Sequence, residues 1–269
     1  MVAKRGFCDA HMHLSDLLAH QPDALQSMLA AGTRSISSCH SRPEIADFAT
    51  WLVAQPQVAH SVACSFGIHP QNPVPDELDF LYQLARRPTA NFPRLAAIGE
   101  CGYDFFQGRP MEGPFSQAIQ DELFLLQVEL AQETGLPLIV HLRRGTDMIF
   151  RHAKLLSRLS AVVFHSWPSP PEAGLALLAR GINAFFSLGT PLLRGKKSAQ
   201  RSLVELPFTR ILMESDAPYQ SLKGKEFTDT ATLGLVYAGA AKILNLDLAE
   251  FVRIINANFD SVFLQTFAI

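Results

Sequence analysis

The feature that most restricts the fold is a rhythm in which short apolar runs alternate with longer amphipathic segments along the 269 residues. The runs fall at residues 6–9, 35–39, 59–66, 95–99, 138–140, 161–164, 182–186 and 211–213, and read as eight strands. They are rich in Val, Ile and Phe and lack strict polar alternation, as parallel strands covered on both faces do. Between two of them, Ile119, Leu123, Leu126 and Leu130 recur at three- and four-residue spacing until Gly135 and Pro137, which predicts a helix over residues 116–134. Segments 43–54 and 171–179 each open on a proline, suited to a first helical turn. Strand ends recur at intervals of roughly 22 to 41 residues, near the ~30 of a βα unit. A chain of this length with 48% hydrophobic residues is expected to form one domain over residues 1–269.

An open doubly wound sheet and a closed barrel share this alternation, so the polar residues decide between them. Imidazole and acidic residues fall at the ends of the first, fourth, fifth, sixth and eighth runs: His11 and His13, Glu100, His141, His165, and Asp216. First and last strands share a site most simply if the sheet closes. The expected fold is therefore an α/β (β/α)8 TIM barrel with its active site at the C-terminal ends of the strands.

A single histidine at a strand end is commonly a hydrogen-bonded structural residue. Five similarly placed positions in a chain with nine histidines are better explained as ligands. His11 and His13 stand at i and i+2 and would share a face. Imidazole and carboxylate suit Zn²⁺ or Mn²⁺, and a carboxylate can bridge two ions where an imidazole cannot. By the same alternation Glu214 and Asp9, at i−2 from Asp216 and His11, are expected to hydrogen-bond ligands, while Cys101 points away. Asp104 is expected to pair with Arg143 or cap a loop. His20, His40, His60 and His152 are read as non-ligands. The loop from Phe105 and Phe106 through Gly108, Pro110, Gly113 and Pro114 is expected to border a substrate groove.

The formal charge of −2 gives no whole-protein attraction to a polyanion, so any nucleic-acid contact must be local. Arg194, Lys196, Lys197 and Arg201 after the seventh strand, and Lys223 and Lys225 after the eighth, would lie on the catalytic face. The four cysteines form no close pair, and no apolar stretch suggests a signal peptide or a membrane span, so a soluble cytoplasmic protein is expected, with no membrane role and no obligate protein partner. A Ser-His-Asp hydrolase is disfavoured because no Gly-x-Ser-x-Gly occurs.

Six stretches in order, Asp9-Ala10-His11-Met12-His13, Gly67-Ile68-His69-Pro70, Gly99-Glu100-Cys101-Gly102-Tyr103-Asp104, Leu138-Ile139-Val140-His141-Leu142-Arg143, Phe164-His165-Ser166 and Met213-Glu214-Ser215-Asp216-Ala217-Pro218, carry a family resemblance over nearly the whole chain. It resembles the TatD family of metal-dependent deoxyribonuclease-like hydrolases, among the amidohydrolase and phosphotriesterase-like barrels. The resemblance implies two divalent ions (Zn, Mg or Mn), one held by His11, His13 and Asp216, the other by His141 and His165, with Glu100 between them where relatives use a carboxylated lysine. It implies hydrolysis of a DNA phosphodiester or another phosphoester at the barrel mouth by activated water, with Asp216 taking the proton. His69 resembles a position that donates to a substrate phosphate oxygen, with capping before Pro70 as its other reading. Arg143 resembles the arginine of a His-x-Arg motif, a phosphate clamp or the partner of an acidic neighbour.

Two segments depart from the family pattern. After the sixth-strand histidine the usual Cys-Phe-Ser-Gly is replaced by Ser166-Trp167-Pro168-Ser169-Pro170-Pro171, and after the eighth strand an Arg-Asn-Glu-Pro-like segment is replaced by Lys223-Gly224-Lys225-Glu226-Phe227-Thr228-Asp229. These changes keep open a hydrolase of another ester, a lactone or an amide, and, further off, a metal-binding protein without turnover.

Overall fold

The computed structural model describes residues 6–86, 93–106 and 112–267. Eight strands, β1 (Cys8–Met12), β2 (Arg34–Cys39), β3 (Val62–Phe66), β4 (Leu95–Asp104), β5 (Leu138–Arg143), β6 (Val162–Phe164), β7 (Ala184–Leu188) and β8 (Ile211–Met213), lie side by side in chain order. Every neighbouring pair is parallel. The sheet curls into a nearly closed barrel, and the segment after β8 bridges the seam. There the His13 N–H donates to the Ala217 carbonyl (2.7 Å) and the Asp216 N–H to the His11 carbonyl (3.0 Å). The expected α/β barrel is the observed fold.

The barrel interior below the site is apolar. Ala10, Ile36, Ile139, Val163, Phe185 and Leu212 pack there with Phe259 and Phe263 of the last helix, Leu248–Phe267. That helix seals the N-terminal end of the strands: Asn258 donates to the Ile211 carbonyl (2.8 Å), and the Arg34 guanidinium at the start of β2 lies 5.2 Å from the Phe259 ring centroid. One end being closed by apolar packing, polar side chains are left to the other.

Helices cover the outside. Helix Gln117–Thr134 begins at Ser116, whose hydroxyl accepts from the Ile119 N–H, and ends at Gly135 in the left-handed conformation (φ 72°). Its buried face differs from the apolar stripe expected. Leu123 and Leu130 are buried and Ile119 and Leu126 only half-buried, because Gln120 and Gln127 occupy the sheet-facing side. Gln127 accepts from the Ile68 N–H (2.8 Å) and Gln120 from the Asp104 N–H (2.8 Å), so the helix fixes two segments of the site. Leaving those amides unpaired would cost more than their apolar substitutes gain.

Strands β4 and β5 run further than their apolar runs. The ladder continues through Cys101 with Val140, Gly102 with His141 and Asp104 with Arg143, which carries Glu100 and His141 within the sheet. Register shifts occur between Asp9 and Met12 and between Ile98 and Cys101, in the strands that carry His11 and Glu100, with a third between Cys64 and Ser65 of β3. Gly99 makes the second shift possible. Its φ is 126°, and a Cβ there would overlap the Ile139 carbonyl. Gly108 and Pro110 of the expected groove loop lie outside the described residues.

Candidate metal centre

The C-terminal mouth of the barrel is organised around one carboxylate. Glu100, 2% exposed, projects from β4 into the space between the strands. Its Oε1 is 2.8 Å from His165 Nε2, 2.8 Å from His141 Nδ1 and 3.4 Å from His69 Nε2. Its Oε2 is 3.3 Å from His11 Nε2 and 3.6 Å from His40 Nε2. On the His11 side, His13 Nε2 lies 3.2 Å from His11 Nε2, and Asp216 Oδ1 lies 3.6 Å and 3.5 Å from those two nitrogens. The geometry thus brings together all six expected ligands, His11, His13, Glu100, His141, His165 and Asp216, with His69 beside them.

Local backbone explains these placements. The register shift in β1 leaves Met12 in the outer core and turns His11 and His13 inward. Asp216 stands at φ 54°, a left-handed conformation that Asp adopts at lower cost than most residues, in the turn after β8. Gln220 locks that turn, its amide donating to Asp216 Oδ2 (2.6 Å) and to Ser166 Oγ (2.7 Å).

The electrostatics follow from burial and from this crowding. Burial alone would raise the Glu100 carboxyl, but the imidazoles of His165, His69 and His11 hold it well below the ordinary carboxylate range. The His165 imidazole is disfavoured as a cation by burial, yet Glu100 and Glu214 hold it well above its usual value. Burial and the His165 charge push His11 down, and burial takes His69 to about 3. Burial opposes ionisation of Asp216 too, but the His13 hydrogen bond and the surrounding imidazoles bring it to about 2.

The residues expected to support the ligands divide. Glu214, fully buried, faces His165 as expected, its Oε1 3.5 Å from His165 Nδ1, an ion-pair approach rather than the hydrogen bond anticipated. Asp9 bonds the backbone of its ligand neighbour, its Oδ1 accepting from the His11 N–H (3.3 Å), and it holds a loop as well. Its Oδ1 also accepts from the Ser215 N–H (2.9 Å) and its Oδ2 from the Ser215 hydroxyl (2.6 Å), which ties the end of β1 to the segment after β8. Burial raises its carboxyl to about 7 against those bonds. Asp104 is not paired with Arg143: its Oδ2 meets His141 Nε2 (3.1 Å) and the Gln71 amide, while its Oδ1 caps the Phe106 N–H (3.0 Å). Arg143 instead stacks on Phe106, its Cζ 3.8 Å from the ring centroid. Cys101 is buried in the outer core, away from the carboxylate cluster.

The cluster opens into a cavity of about 750 Å³ whose walls include Arg143, Ser166, Arg194, Lys196 and Tyr219. The expected basic face is narrower than the sequence suggested. Arg201 is held by Glu172 and Glu205 through exposed ion pairs, and Lys225 lies 3.8 Å from Asp229. Trp167, in the segment that departs from the family pattern, is buried against Phe164 and Phe186 and serves packing.

Sequence reasoning read His40 as a non-ligand and singled out no role for Gln220, whereas the structure brings both side chains to the cluster, His40 Nε2 standing 3.6 Å from Glu100 Oε2. His40 directly follows β2 and so had the strand-end placement that singled out the others; Gln220 lies in an irregular segment without a local signal. His20 stacks on Phe227 and His152 bonds Asp121, consistent with non-ligand roles.

Comparison with known proteins places these features. The sequence profile of the TatD related DNase family matches residues 8–264. An uncharacterized metal-dependent hydrolase TatD of Mycobacterium tuberculosis is 25% identical over 216 residues, 78% of this chain and 79% of that protein. A 3′-5′ ssDNA/RNA exonuclease TatD of Pantoea vagans is 28% identical over 199 residues, covering 71% of this chain and 68% of its own length. Among solved structures, the TatD homologue YjjV of Escherichia coli superposes with a TM-score of 0.79 over 96% of this chain and 98% of its own, at 22% identity, a likeness of fold.

Proposed function

The chain belongs to the TatD related DNase family of metal-dependent hydrolases, and from that premise we propose that it cleaves DNA phosphodiester bonds at a two-ion centre in the barrel mouth. The observation that carries the reading is Glu100, one buried carboxylate whose two oxygens face two separate sets of imidazoles. The residues fit divalent cations. Ring nitrogens of His11 and His13 converge with Asp216 Oδ1, and a carboxylate offers lone pairs to two ions where an imidazole nitrogen offers one. On this reading His11, His13 and Asp216 hold one ion, His141 and His165 the other, and Glu100 serves both.

When bound, such a pair lowers the pKa of a shared water and stabilises charge on the attacking and leaving oxygens of a phosphodiester. Asp216, whose Oδ1 faces the cluster and whose Oδ2 is held in direction by Gln220, would accept the water's proton through its carboxylate. His69 offers Nε2–H to a phosphate oxygen, since its Nδ1 accepts from the Gln71 N–H (3.0 Å). Arg143, Arg194 and Lys196 supply local positive charge that the chain as a whole lacks. The Pantoea vagans relative's named activity supports a nucleic-acid substrate and exonucleolytic action. Four free, buried cysteines suit a reducing cytoplasm, and among the described residues no helix is long and apolar enough to cross a membrane.

Incubation of the purified protein with 3′-labelled and 5′-labelled single-stranded DNA, with Mn²⁺ or Mg²⁺ and with EDTA, tests the reading. Metal-dependent shortening is expected. Intact DNA alongside turnover of a small ester or lactone would transfer the activity to that substrate class.

A further inference from the structure

We propose that His40 is a seventh metal ligand, reaching the ion that His13 and Glu100 share, and that it biases the centre toward transition-metal ions over Mg²⁺. The inference rests on the metal-centre reading above and concerns a residue outside its six ligands. The His40 ring stands between those of His13 and His69, with centroid separations of 5.5 Å and 4.9 Å. Ring nitrogens of His13 and His40 and a Glu100 oxygen lie within 4.8 Å of one another, close enough for one ion to reach all three.

The protons on the two rings distinguish His40 from His69. His40 Nδ1 lies 3.4 Å from the Gly67 carbonyl, which can only accept, so this nitrogen carries the hydrogen. Nε2 of the neutral ring then presents a lone pair, and it is buried with no hydrogen-bond partner, 3.6 Å from Glu100 Oε2. Two lone pairs facing each other across that gap attract only if a cation lies between them. A backbone carbonyl fixing one imidazole nitrogen while the other faces the centre is the arrangement of metal-binding histidines. His69 has the opposite arrangement: an N–H that can only donate meets its Nδ1, leaving Nε2 as the hydrogen-bearing nitrogen and His69 a donor.

His40 is also held in place. Its N–H donates to Glu44 Oε2 (3.0 Å), and Ser41, which caps helix Arg42–Ala54, donates to Glu44 Oε1 (2.7 Å). An ion gaining a further imidazole has a more nitrogen-rich shell, suited to Zn²⁺ or Co²⁺ and poorly to the oxygen-preferring Mg²⁺.

Chelator competition with Zn²⁺, Co²⁺ and Mg²⁺ on the wild type, His40→Ala, His40→Gln and His69→Ala, with circular dichroism and the visible spectrum of the Co²⁺ form, tests the assignment. Both His40 variants should keep the wild-type fold, bind Zn²⁺ and Co²⁺ at least about tenfold more weakly, since even outer-shell partners contribute 10- to 100-fold, and show an altered Co²⁺ spectrum. Mg²⁺ affinity should change little, and His69→Ala should bind Zn²⁺ like the wild type. A wild type that binds no divalent ion overturns the metal-centre reading itself. A wild type that binds, with either folded His40 variant matching its affinity and Co²⁺ spectrum, overturns only the role of His40, as does an equal loss in His69→Ala.

Discussion

Glu100→Gln tests the electrostatic logic of the centre, because it preserves shape and removes the charge on which the imidazoles converge. In EDTA-treated protein, His165 Nε2 and His141 Nδ1, each 2.8 Å from Glu100 Oε1, lose a buried counter-charge. Removing one partner of a buried charge pair costs about 3–5 kcal/mol. At roughly 2–4 °C per kcal/mol for a chain of this size, the Tm should fall by about 6–20 °C. The sign of the pH dependence follows from both partners. Glu100 is held below its ordinary 4.5, so its stabilisation is present above that value and is lost as pH falls. His165 is held well above 6.5, so its share is full below 6.5 and is lost as pH rises through the elevated value. The Tm gap between wild type and variant should therefore be widest between about pH 4.5 and 6.5 and shrink as the pH rises beyond that. Differential scanning calorimetry in EDTA measures it; a gap below about 2 °C within that range, or one that widens as the pH rises beyond it, refutes the reasoning.

Asp216→Asn should retain the fold and lower kcat by about 10²- to 10⁴-fold, the usual range for a lost proton acceptor, as followed by single-turnover cleavage. Arg143→Ala should cost about 1.5–3 kcal/mol in kcat/KM if its guanidinium meets a phosphate, and unchanged kinetics would leave it the stacking role on Phe106 alone. Metal affinity should tighten with rising pH, because binding must expel the proton that Glu100 and Glu214 favour on His165; titration calorimetry showing no pH dependence would contradict this. Gly99→Ala should destabilise the protein by several kcal/mol, about 3 or more, since its Cβ meets a backbone carbonyl at a φ of 126°, and a wild-type melting curve would show that the β4 shift is dispensable.

Much of this architecture was legible in the chain because parallel strands buried on both faces leave unmistakable apolar runs, and because a barrel gathers the residues that follow them. The six expected ligands were singled out that way, and the structure brings them together. What was not legible depended on contacts between residues far apart in the chain. Asp9 bonds His11 through the His11 backbone N–H, and its further hold on Ser215, 206 residues away in the chain, had no local signal. For Asp104 the sequence offered a pair with Arg143 or a loop cap; the structure has the cap, and the two residues, ladder neighbours in β4 and β5, take other side-chain partners. Helical periodicity marks apolar faces and is silent about Gln120 and Gln127, whose worth lies in backbone partners distant in sequence. His40 was set aside as lacking the placement of the expected ligands, although it directly follows Arg34–Cys39.

The central claim is that Glu100 stands between two divalent ions. Diffraction at the absorption edge of the metal found by elemental analysis, on crystals of the metal-loaded protein, tests it most directly. The account predicts two anomalous peaks, one beside His11, His13 and Asp216, the other beside His141 and His165, with a Glu100 oxygen toward each. A metal-loaded crystal without a peak next to Glu100, or with a lone ion that Glu100 does not touch, would contradict it.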